Sequence, residues 1–241
     1  KLDELVAAGA LANARAHGGT HYDGYHTLMA LMPSYEMAAQ MPAPYAALPV
    51  LKVLHRNARF LQESGHAEKD ALGVLEPGSA GELDLVGSVR AGDLARAERD
   101  LAALEAGDER TRARAFEELQ AVVRDDMNVH RVVLSWRAYE LLRLTGPAQA
   151  LTMLRQSVRF CIDEDGQRVK RGRAPNEIRA LLPELMEQHA LARREKGTRT
   201  ADEPWIEHLA ETVFSAERVT ATRAVAAALA EGLPTGQTGR L

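Results

Sequence analysis

The sequence predicts an all-α fold: one globular, bundle-like domain over 1–241, built from about nine or ten helices. Three observations carry this. Ala, Leu, Arg and Glu dominate, while Ile and Thr are scarce and aromatic residues reach only 5%, so helix formers abound and sheet formers are few. The hydrophobic share of 46% and charged share of 27% are those of a folded chain with a sizeable core. Most of the chain also repeats its apolar residues at three- and four-residue spacing, punctuated by Gly and Pro.

Residues 3–16 read as the first helix, stopped by Gly18-Gly19. A turn-rich stretch from His17 to His26 leads into a second helix over 25–40, in which Pro33 removes an i to i−4 hydrogen bond and should kink or break it. Pro42, Pro44 and Pro49 make 41–49 an ordered connector, with Pro49 opening a helix to about Ser64. The Gly-rich stretch 65–91 reads as a long irregular excursion with one short helix. Asp93 then caps a helix to about Ala106, and another follows over 110–123.

The strongest helical pair comes next. Residues 126–145 stop at Gly146, and Pro147 opens a helix to about Asp163. So short a connection makes the two antiparallel neighbours. A charged loop is expected over 163–174, then a helix over 175–194 containing Pro183, and two more over 205–215 and 217–231. The tail from 232 to 241 should fray.

Composition excludes several function classes. The net charge is −4 with acids and bases interleaved, so no basic face for nucleic acid is expected. The densest basic run, Arg168 to Arg173, reads as a solvated loop. Cys161 is the single cysteine, which rules out an intramolecular disulfide and a Cys-based zinc site, and its place on an apolar stripe suggests a buried, inert thiol. No apolar run approaches the ~20 residues of a membrane span. A soluble protein is expected, cytoplasmic by default and exported if a leader preceded Lys1.

Phosphate-loop, nucleophile-elbow and EF-hand patterns do not occur. His-Glu-x-x-His and paired Glu-x-x-His patterns do not occur either.

What remains is the histidines. The chain has eight, and His17, His21 and His26 fall within ten residues. At 100° per residue, His26 flanks the stripe Tyr25, Met29, Met32 and Glu36. His55 flanks Val50, Leu54, Ala58 and Leu61, and His130 borders Met127, Leu134, Ala138 and Leu141. Three helices thus each carry one imidazole at the boundary of core and solvent. Imidazole is the commonest side-chain metal ligand, and three leave a coordination position open. His26, His55, His130 and His21 are therefore the candidate ligands for a metal ion or a haem iron, with Asp23 and Glu36 placed to orient them. Arg59, Arg137 and Arg155 would suit an anionic substrate, beside Tyr25 and Tyr139.

Three readings stay open: a metal- or haem-dependent, oxidoreductase-like enzyme acting on a small anionic molecule, a helical protein-interaction module, and a metal-free small-molecule binder. Homo-oligomerisation is compatible with each. Boundary histidines that only hydrogen-bond a neighbouring carbonyl or carboxylate would produce the same pattern.

Overall fold

The computed structural model describes residues 1–16, 21–63, 72–75, 83–193 and 197–234. Among them are eleven α-helices and no strand: α1 Leu2–Ala16, α2 Tyr22–Ala38, α3 Leu48–Glu63, α4 Leu85–Arg90, α5 Leu94–Glu105, α6 Glu109–Val123, α7 Val129–Thr145, α8 Ala150–Lys170, α9 Ile178–Gln188, α10 Glu203–Ser215 and α11 Arg218–Ala230. The all-α fold is as the composition demands. The chain forms two compact units, Lys1–Pro175 and Asn176–Leu241.

In the first unit α2 packs on α1, α3 and α7, and α8 packs on α7, α5 and α1. Their apolar faces share one core, which includes Leu28, Leu31, Met32, Leu101, Leu134, Leu141, Met153, Val158, Phe160 and Cys161. Helix starts follow capping chemistry. Asp84, Asp93 and Asp108 each accept a hydrogen bond from a backbone N–H three residues on, satisfying donors that a helix N-terminus leaves open. At the end of α7 the chain turns at Gly146, whose φ is +88°, a conformation that Gly adopts without strain. A single 3-10 turn, Pro147–Gln149, then leads into α8.

Several expectations need correction. Pro33 does not break α2, which runs unbroken over Tyr22–Ala38. The residues around Pro33 (Leu28, Met29, Leu31 and Met32) are buried, and that packing outweighs the one lost hydrogen bond. Secondly, α7 begins at Val129, because the Asn128 side chain accepts from the His130 N–H at 3.0 Å and caps the helix there. Met127, which the apolar stripe had claimed, stays outside and is exposed.

The charged loop expected at 163–174 is largely helix. α8 continues to Lys170 because its acids find partners: Asp165 accepts from Arg131 at 2.7 Å, and Glu164 accepts from Asn128 at 2.7 Å. Gly166 inside the helix costs only ~1 kcal/mol relative to Ala. The stop comes at Gly172, with φ of +62° and an Arg173 N–H returning to the Arg168 carbonyl. Finally, the helix expected over 175–194 ends at Gln188, since Ala190 takes a left-handed φ of +49°.

The second unit packs α9, α10 and α11 around Leu181, Leu185 and Ala226, and around Leu209, Ala228 and Leu233. Asp202 caps α10, and the Arg199 guanidinium lies 5.1 Å from the Trp205 ring centre. The expected fraying from 232 does not include Leu233, which is buried. Residues 235–241 lie outside the described residues, as do His17, Gly18, Gly19, and 65–71 and 76–82 of the expected excursion 65–91, His66 among them.

Candidate functional site

The site is built on α2, α3 and α7, and a buried polar junction fixes the first two. On α1 the spacing Val6, Ala10, Asn13, Ala14 places a polar residue on an apolar stripe, and all four are buried. Asn13 Nδ2 donates to the Asn57 Oδ1 at 2.7 Å and lies 3.0 Å from both the Gly24 carbonyl and Thr27 Oγ1. Asn57 Nδ2 in turn donates to the Gly9 carbonyl at 2.9 Å. Gln156 of α8 reaches Asn13 Oδ1 at 3.3 Å. Four helices are thereby tied in one register, because buried amide groups carry a large penalty when unpaired.

Gly24 makes room for Phe60 at this junction. A Cβ there would lie 2.8 Å from the far end of the Phe60 ring, so any larger residue would push that ring away from α2.

Asn57 turning inward rotates α3 from the orientation its apolar pattern suggested. Its buried residues are Val50, Asn57 and Phe60, while Ala58 is exposed. The opposite consequence falls on His55, which is exposed and faces a groove between α2 and α3. This groove has a volume of about 520 Å³ and is lined by His21, Asp23, His26, Lys52, His55, Arg56, Arg59, Phe60 and Glu63 among others. The His21 ring lies 4.9 Å from that of Phe60.

Charge in the groove is lopsided. Lys52, Arg56 and Arg59 face two carboxylates. Arg56 pairs with Asp23, a hydrogen bond that holds the Asp23 carboxyl below its ordinary value. Arg59 pairs with Glu63 at 2.6 Å. Lys52 has no carboxylate partner among the described residues, which leaves one unbalanced cation beside three imidazoles.

His26 also faces the other way, toward α7. Its ring centroid lies 4.9 Å from that of His130, at an interplanar angle of 73°. Tyr25 completes an aromatic group there, 5.2 Å from His130 and 5.1 Å from Phe160. The Tyr25 phenol is buried and its pKa raised, first by desolvation and then by the nearby Glu164 charge. Desolvation, followed by repulsion from His26, lowers the pKa of His130 below the ordinary imidazole value, against an opposing pull from Glu164.

The structure therefore brings together His21, His26, His55, Arg59 and Asp23 in one groove, and His26, His130 and Tyr25 in one aromatic group. The other expected binding residues lie elsewhere. Arg155 is buried in a bidentate pair with Glu98, at 2.6 and 2.9 Å. Arg137 pairs with Glu140 on its own helix. Tyr139 stacks on Phe116 at 4.3 Å, next to Trp136. Glu36 is exposed and accepts from Arg143 at 2.9 Å.

Sequence reasoning missed Lys52, Arg56 and Phe60 in the groove, and Asn13 and Asn57 beneath it. Asn13 had a legible signal, a polar residue in the middle of an apolar stripe. Among the described residues no three His, Cys, Asp or Glu side chains are grouped to hold a metal ion, and no helix is long and apolar enough to cross a membrane. No family model, no curated protein and no solved structure matches this chain.

Proposed function

We propose that this chain binds a small anionic molecule in the groove between α2 and α3. The observation that carries the reading is the lining of that groove: Lys52, Arg56 and Arg59 against Asp23 and Glu63, with His21 and His55 as further donors. Guanidinium and imidazole N–H groups suit carboxylate or phosphate oxygens. Phe60 supplies an apolar floor, and the volume is that of a small-molecule site. The metal- or haem-dependent enzyme has weaker support, since His55 opens to the groove and His130 packs on the far side of His26.

Calorimetric titration with inorganic phosphate and with malonate tests the proposal. Saturable one-to-one binding is expected, weakened at least about tenfold when Lys52→Ala is combined with His55→Ala, the equivalent of ~1.4 kcal/mol. Titration curves unchanged in the double variant would refute it.

A second reading, a protein-interaction module, draws on α7. That helix is apolar on both sides, yet Val129, Val132, Trp136 and Tyr139 remain exposed, and a helix apolar all round is ordinarily buried. Light scattering on concentrated protein checks this: a strict monomer, with no partner recovered, counts against it.

A further inference from the structure

Two imidazoles in this molecule have their protonation geometry dictated by their neighbours. Asn128 Nδ2 donates to the Glu164 carboxylate at 2.7 Å, which orients the amide and points Oδ1 toward His130. That oxygen lies 2.8 Å from His130 Nδ1. An amide oxygen only accepts, so the proton sits on His130 Nδ1 and the Nε2 carries the lone pair. His26 reaches the same state by another route. Its Nδ1 is 2.7 Å from the Tyr22 carbonyl oxygen, again an acceptor only, which leaves its Nε2 with a lone pair as well.

This is the arrangement found around metal-bound histidines, where the distal ring N–H is held by a carbonyl or carboxylate and the opposite nitrogen is left to the ion. The spacing agrees. Two imidazoles bound through nitrogen at ~2.1 Å to one ion, with a nitrogen–metal–nitrogen angle of roughly 90–110°, have ring centroids about 4.5–5.2 Å apart. The centroids of His26 and His130 are 4.9 Å apart. Both rings are partly exposed, so solvent can complete a coordination shell. Imidazole nitrogen suits copper, nickel and zinc, with copper(II) bound most tightly among them.

We propose that His26 and His130 form a two-imidazole site for a late first-row divalent cation, with water or a small ligand in the remaining positions. The site needs no third side chain. It stands independently of the anion groove, with which it shares only His26.

The test is titration of the metal-free full chain with copper(II), followed by electron paramagnetic resonance. One bound ion per chain is expected, with hyperfine coupling to two imidazole nitrogens. His130→Gln and His26→Gln should each reduce the spectrum to at most one coupled nitrogen and lower the affinity more than about tenfold. Asn128→Ala, which removes no metal ligand, should weaken binding about 10–100-fold by releasing the His130 ring. His21→Gln and His55→Gln should leave copper affinity unchanged. Copper uptake that survives His130→Gln, a native spectrum with one coupled nitrogen, or the lack of stoichiometric uptake would each overturn the site. Phosphate titration of His130→Gln separates the two proposals, because that variant should bind the anion as the native chain does.

Discussion

Asn13 on α1 donates to Asn57 on α3 across 2.7 Å in a junction where both side chains are buried. The two helices that line the groove are joined to α1 in this one set of hydrogen bonds, with Thr27 and the Gly24 carbonyl of α2 as the other members.

Replacing Asn57 with Ala should therefore be costly despite the small change in volume. The substitution strips the acceptor from Asn13 and the donor from the Gly9 carbonyl. Each buried group left unpaired costs about 1–3 kcal/mol, so a loss of about 3 kcal/mol in unfolding free energy is expected. Urea denaturation measures it, and a loss below about 1 kcal/mol would show that water satisfies the junction.

Glu98 offers a second stability test. It accepts from Arg155 and from Arg159, both at 2.6 Å. Burial pushes its carboxyl pKa up, but the two guanidinium groups prevail and hold it below the ordinary 4.5. A lowered carboxyl pKa contributes stability that is present above pH 4.5 and is lost as pH falls through the folded value. Glu98→Ala should cost about 3–5 kcal/mol at neutral pH, because it leaves Arg155 buried without its partner. The gap between native chain and Glu98→Gln should narrow as pH drops from about 6 toward 3. A gap independent of pH would mean that the pair adds nothing through charge.

Glu105 behaves in the opposite sense. At the last position of α5, desolvation raises its pKa to about 7, with Arg112 opposing. A carboxyl whose pKa rises on folding holds its proton more tightly in the folded state. The contribution of Glu105 to stability is therefore fully present below pH 4.5 and falls as pH climbs from there through about 7. Glu105→Gln should remove this penalty, raising stability at pH 8 by about 1–2 kcal/mol after allowance for solvent screening, with little change at pH 4. Thermal denaturation at the two pH values decides it: equal effects at both would place the Glu105 carboxyl in water.

The pattern of apolar residues was enough to identify the helices, and Asp93 and Gly146 marked boundaries that hold. Their chemistry is local: a side-chain oxygen reaches a backbone N–H three residues on, and a glycine turns the chain without strain. Cys161 too was legible as a buried thiol, and desolvation pushes its pKa up to about 12.

The site was legible only in part. Periodicity placed His26 and His130 at the edges of their helices, and the fold brings these two edges into contact. It gave no account of α3, because Asn57 occupies a buried position that polarity alone assigns to solvent. Turning Asn57 inward carries His55 out into the groove. Arg155 illustrates the same limit: its helix position was readable, but its buried partner Glu98 belongs to a helix far away in the chain.

Periodicity along one helix therefore determined which residues form helices and which side of each is apolar. Only the tertiary structure decided which polar groups on different helices satisfy one another. Pairings such as Asn13 with Asn57, Arg155 with Glu98 and Asn128 with Glu164 depend on how separate helices pack. A spacing rule within one helix holds no information about that distance, and the penalty for an unpaired buried group is what selects the partner.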